Sequence, residues 1–202
     1  MTGVGPGPGP RRRAVALAGH EGDEATARAG LVDPDAGVRS TAIGALERLG
    51  ALTVEDLNLA FADPAGSVQR RACEAVALLP GDQPPSLRSA LASVDDTIVE
   101  VAAWASGERV PAEPGIVQIL STLATDHDDA LVREAAVAAL GAIGDDDGLP
   151  AILAATTDKA TVRRRAVLAL APFEGESVDA ALLRSRDDRD WQVRQAAEDL
   201  SD

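Results

Sequence analysis

The chain has 202 residues and 33 acids against 19 Lys and Arg, and its formal net charge of −14 argues against general affinity for nucleic acid or an anionic membrane. Its residues are 46% hydrophobic but only 2% aromatic, so Ala, Leu, Val and Ile must fill the interior, which suits close helix packing better than a β-sandwich. The one cysteine, Cys73, rules out an intramolecular disulfide and sits in an apolar helical pattern as a small buried hydrophobe.

In chain order, MTGVGPGPGP lacks the apolar region of a signal peptide and reads as a disordered Gly/Pro tail over 1–10. Residues 11–202 read as a single repeat domain, and no apolar run approaches a membrane span, so a cytoplasmic location is expected. RRRAVALAGH from Arg11 predicts a lone helix that starts the array. A segment then recurs as DPDAGVRSTAIGALERLG from Asp33, DPAGSVQRRACEAVALLP from Asp63, VDDTIVEVAAWASGE from Val94, DHDDALVREAAVAALGAIG from Asp126, DKATVRRRAVLALAP from Asp158 and DDRDWQVRQAAEDL from Asp187. Aligned on Val38, Val68, Val99, Val132, Val162 and Val193, its steps are 30, 31, 33, 30 and 31 residues.

Four residues after each valine stands Ala42, Ala72, Ala103, Ala136, Ala166 or Ala197, and four copies place Leu46, Val76, Leu140 or Leu170 four residues further on. Offsets of 0, 4 and 8 trace one face of a helix, and the alanine admits a neighbouring helix at close range. Asp33-Pro34 and Asp63-Pro64 predict the capped starts of these second helices. First helices are predicted in TVEDLNLAFA from Thr53, GIVQILSTLA from Gly115, LPAILAATT from Leu149 and SVDAALLRS from Ser177. Gly50, Pro80-Gly81, Gly144 and Pro172 end the units. The fold expected is all-α, an α-solenoid of about six helix-pair repeats with 12 or 13 helices.

The pattern of Asp-Pro, Val-Arg, Ala and then Leu resembles HEAT repeats of the short bacterial type, and it is similar to the HEAT-like repeats of phycobilisome lyases. That resemblance covers residues 11–202 and implies an α-α superhelix whose second helices line a concave side. It also implies ladders of Asp and Arg between neighbouring repeats. Arg39, Gln69, Arg133, Arg163 and Arg194 each follow an anchoring valine, where a cation opposes the helix dipole, so turn acids such as Asp33, Asp63, Asp128, Asp158 and Asp188 are expected to pair with them.

The third unit departs from the rule, with Glu100 in place of Arg or Gln, Trp104 in place of a medium apolar residue, and the insert GERVPAEPG. Trp104 aligns with Ile43, Cys73, Val137 and Val167, which predicts a packed core position; the alternative is that it shapes a local site. Trp191 stands where other units have small residues and is expected to cover the C-terminal end or mark a contact surface. His20 and His127 have no second ligand at metal spacing, and runs such as Asp145-Asp146-Asp147 do not match a calcium loop. The expected function is a non-catalytic scaffold or adaptor without cofactors. Its candidate concave surface comprises Arg71, Glu74, Glu100, Trp104, Glu134 and Arg164, and its expected partner is a neutral or basic protein or peptide, with self-association open. The resemblance also raises a tetrapyrrole lyase or chaperone, and HEAT-like DNA glycosylases give a further alternative that the acidic balance disfavours.

Overall fold

Alternating breakers and apolar stripes leave the chain little choice but helix pairs. A computed structural model describes residues 7–79 and 84–200, and every regular element among them is helical. The first helix, α1 (Pro8–Glu21), stands alone and is followed by α2 (Glu24–Ala29), α3 (Ala36–Leu49), α4 (Val54–Phe61), α5 (Gly66–Leu78), α6 (Arg88–Leu91) and α7 (Asp96–Gly107). The remaining helices are α8 (Ile116–Asp126), α9 (Ala130–Ile143), α10 (Leu149–Ala155), α11 (Ala160–Ala169), α12 (Glu176–Ser185) and α13 (Trp191–Asp199). Even-numbered helices are first helices and odd-numbered ones from α3 onward are second helices, so the fold is the expected α-solenoid. α1 begins at Pro8, so residues 8–10 are helical rather than tail; residues 1–6 and the breaker Pro80-Gly81 lie outside the described residues.

The chain packs as two compact units, Met1–Ala90 and Leu91–Asp202, where one domain was expected over 11–202. In the first unit Val15, Ala18, Ala27, Val38, Ala42, Ala45 and Leu46 form a core against which Leu31, Leu49, Ala51 and Leu52 pack. Burying each Val or Leu here is worth about 1.5–3 kcal/mol. In the second unit Val167, Val193, Ala196 and Ala197 form a comparable cluster with Leu168, Leu182 and Leu200. Close approach of second helices depends on missing side chains: a Cβ on Gly107 would stand 2.7 Å from the Cα of Ala139, and one on Gly141 would stand 2.7 Å from the Cα of Ala169. All the aligned valines and alanines are buried.

The helix starts differ in one respect from expectation. The caps are Asp35, Asp129 and Asp190, three residues before the anchor, and their side chains accept the N–H groups of Val38, Leu131 and Gln192. Asp33 instead accepts the N–H of Asp35 at 2.8 Å and still presents both oxygens to a partner from elsewhere. At the far ends, Gly50 and Gly144 adopt φ of 66° and 67°, the left-handed conformation that turns the chain out of the helix.

The third repeat is shifted by one residue. Its cap is Asp95, which puts the anchor at Ile98 rather than Val99, and Gly107 then falls nine residues after the anchor as Gly141 does after Val132. In this register Trp104 no longer aligns with Ile43, Cys73, Val137 and Val167. It aligns with Gly44, Glu74, Ala138 and Leu168, which are only partly buried, and its residue exposure is 39%. The packed tryptophan expected from the valine alignment is therefore corrected: Ala103 takes that core position.

Candidate functional site

The residue after each anchor is positioned by the first turn of a second helix, and there the arginines find carboxylates of the following repeat. Arg39 donates from Nε and Nη2 to Asp63 at 2.7 and 2.8 Å, and from Nη1 to the carbonyls of Asp33 and Pro34 at 2.8 and 3.2 Å. Arg133 grips Asp158 at 2.6 and 2.9 Å and donates to the carbonyls of His127 and Asp128. Arg163 grips Asp188 at 2.8 and 2.7 Å and donates to the Asp158 carbonyl. In α1, Arg11 holds Asp33 in the same way at 2.7 and 2.9 Å.

Each rung is bidentate and charge-assisted, so it fixes orientation as well as attraction. The guanidinium of Arg133 holds the Asp158 carboxyl below the usual carboxylate range, and Arg163 does the same for Asp188. The ladder expected from the resemblance is thus present. Its acceptors lie in the following repeat, and Asp128 contributes a carbonyl rather than its carboxylate.

The middle rungs are built differently. Gln69 donates to the carbonyl of Asp63 in its own turn at 2.6 Å, Val99 occupies the next rung position, and His127 stands where an aspartate stands elsewhere. His127 Nδ1 accepts the Asp129 N–H at 3.1 Å, and its Nε2 lies 3.8 Å from Asp96.

Of the six candidate residues, Arg71 and Glu74 belong to the first unit and serve packing. Arg71 pairs with Glu47 on α3 and with Glu74 at 2.8 Å, and its guanidinium lies over Gly44, where a Cβ would come within 3.1 Å. The other four belong to the second unit and lie on its second helices. Glu100 and Glu134 occupy the second position after their anchors and are half-buried; Glu134 accepts a hydrogen bond from Arg165 at 3.4 Å. Arg164 is exposed at the same register on α11. It shares a groove of about 110 Å³ with Leu168, Trp191, Gln192, Gln195, Ala196 and Asp199. Trp191 is 64% exposed.

Ala138 and Leu168, at the register of Trp104 on α9 and α11, complete an apolar row that the valine alignment hid. A hollow of about 350 Å³ lies between the C-terminal parts of α8 and α10, lined by Ala124, Thr125, Ala154, Ala155, Thr157 and the paired Arg133 and Asp158. No group of three or more His, Cys, Asp or Glu side chains able to hold a metal ion occurs among the described residues. Cys73 is buried, and burial pushes its thiol up to about 12. No described helix is long and apolar enough to cross a membrane.

A family model described as HEAT repeats matches residues 84–171 and again 116–201, together more than half of the chain. The chain is a HEAT-repeat protein. Among solved structures, this HEAT-repeat protein is similar to human deoxyhypusine hydroxylase in complex with glycerol, at 21% identity and a TM-score of 0.50 over 95% of this chain and 77% of that one. That likeness is one of fold. A designed armadillo repeat protein in complex with the peptide (KR)4 matches at 16% identity and a TM-score of 0.47, over 93% of this chain and 84% of that one. No curated protein sequence matches the HEAT-repeat protein.

Proposed function

We propose that the chain is a non-catalytic scaffold that binds a protein or peptide segment on the second-helix face of the unit Leu91–Asp202. The observation that carries this reading is that both tryptophans, Trp104 and Trp191, lie on second helices of this unit and are exposed. Exposed tryptophan beside arginine is a frequent anchor of protein interfaces. The ladder arginines support it from the other direction, because their hydrogen bonds are consumed by aspartates and turn carbonyls, which leaves them poorly suited to an anionic ligand.

The test is affinity capture from the native host, followed by reconstitution of the captured partner with purified wild-type, Trp104→Ala and Trp191→Ala proteins. Calorimetry is expected to show at least one variant weakened about tenfold or more, equivalent to about 1.4 kcal/mol, at unchanged melting temperature. Full-strength binding by both variants overturns the reading.

A further inference from the structure

We infer that the second-helix face of Leu91–Asp202 docks an α-helix of its partner, about three turns long, with a basic residue at one end and an acidic residue at the other. This rests on the preceding assignment of that face as the binding surface.

The first observation concerns hydrogen bonding. A partner laid across packed helices finds their backbone groups already satisfied, so an extended segment must have its own N–H and C=O groups met by side chains. Amide side chains are suited to that, with a donor and an acceptor each. Neither Asn nor Gln occurs in α7, α9 or α11. The amides nearest this face are Gln192 and Gln195 on α13, and Gln195 already donates to Asp199 at 2.8 Å. Two of the three hydroxyls on these helices are engaged as well: Ser106 donates to the Ala102 carbonyl and Thr97 to its cap Asp95, which leaves Thr161 in the first turn of α11. A helix brings its backbone already paired and needs none of this.

The second observation is the order of side chains across the face. Six residues after the anchors stand Trp104, Ala138 and Leu168, an apolar row with its smallest member in the middle. Three residues after the anchors stand Val101, Ala135 and Arg165. A strip with alanines at its centre and a tryptophan and a leucine as shoulders receives the apolar stripe of a helix, at spacings of i, i+3, i+4 and i+7.

The third observation is charge. Beside the apolar row, two residues after the anchors, stand Glu100, Glu134 and Arg164 in order. Glu134 already pairs with Arg165, so a cation is favoured opposite Glu100 on α7 and an anion opposite Arg164 on α11. Neighbouring helix axes lie 8–10 Å apart. Glu100 and Arg164 are two such steps apart, so the complementary charges on a helix rising 1.5 Å per residue fall about 11–13 residues from one another.

Selection of a randomised 18-residue peptide library on the full-length protein tests this. The enriched peptides are expected to lack proline, to carry apolar residues at helical spacing with Lys or Arg toward one end and Asp or Glu toward the other, and to gain helical circular dichroism when bound. Their affinity should fall tenfold or more with Trp104→Ala and with Glu100→Lys, while both variants keep the wild-type melting temperature. Peptides that depend on Trp104 but bind in an extended form overturn the helix assignment and leave the scaffold reading standing. Peptides indifferent to Trp104→Ala and Leu168→Ala place the docking surface elsewhere and overturn the inference. If no peptide is enriched, the helix inference falls, and the scaffold reading is decided by the captured partner.

Discussion

Arg163 has a side chain only 7% exposed, and its guanidinium is committed to Asp188 and the Asp158 carbonyl. Arg163→Ala leaves a poorly solvated carboxylate without its cation, so it should cost about 2 kcal/mol in urea denaturation. Arg194→Ala is the contrast: Arg194 donates to the Asp188 carbonyl at 2.7 Å and has no ion pair among the described residues, so its removal should cost less than about 1 kcal/mol. Acid should act through the same pairs. Asp63, Asp158 and Asp188 titrate below the ordinary 3.8 because Arg39, Arg133 and Arg163 hold their charged forms. The folded state then binds fewer protons than the unfolded state near that pH, so the contribution is complete above 3.8 and is lost as pH falls through the lower folded values. Melting temperature is expected to be level from pH 7 to about 5 and to drop below about 4, with a shallower drop in Arg163→Ala.

Helix contacts depend on atoms that are absent. Gly141→Ala improves intrinsic helix propensity by about 1 kcal/mol, but it drives a Cβ to 2.7 Å from both the Cα and the Cβ of Ala169. The backbone of α11 must shift to admit it, and overpacking of this kind costs about 1–3 kcal/mol, so a lower melting temperature is expected despite the better helix former. Ala136→Glu, at a fully buried position, should be more damaging still. The same contacts explain which parts of the fold could be read from the sequence. Four of the six anchors are legible because valine and alanine stand without a second apolar pair at the same offset, and in the fourth repeat, where Leu131 and Val132 precede Ala135 and Ala136, the arginine after Val132 marks the register. In the third repeat Ile98 and Val99 are followed by Ala102 and Ala103, so two registers satisfy the same spacing. What separates them is the pairing of Gly107 with Ala139 and the cap at Asp95, and neither is visible as hydrophobic periodicity. The valine spacing therefore marks Trp104 as distinctive but places it in the core. Leu168 and Ala138 carry no signal of their own in the sequence, because their row with Trp104 exists only in the shifted register.

Both tryptophans belong to Leu91–Asp202, so fluorescence reports that unit alone while circular dichroism reports every helix. Each unit has its own core cluster, and repeat arrays gain stability from neighbouring interfaces, so the two signals are expected to give different denaturation midpoints. Reversing Glu100 and Glu134 together to lysine shifts the formal net charge by +4, from −14 to about −10, and should weaken partner binding tenfold or more. The fold should tolerate it, because the Glu134 pair with Arg165 is 3.4 Å long and half-exposed, worth no more than about 1 kcal/mol. Binding that survives this double reversal would remove the acidic end of the strip from the recognition surface.

The ladder is directional: each rung takes its cation from one repeat and its anion from the next, so every interior repeat that carries both has one plug and one socket. Such a unit can be copied or lost without redesigning what flanks it. Excising residues 133–162 would join Val132 to Arg163 and keep the grip on Asp188, whereas cutting fifteen residues would separate plug from socket. The 30-residue deletion is expected to melt cooperatively and the 15-residue deletion to be unfolded, as circular dichroism would show. A gene built this way can change its copy number in whole repeats, and where a repeat carries both the Asp and the Arg of the ladder, as Asp158 and Arg163 do, such a change costs little in structure.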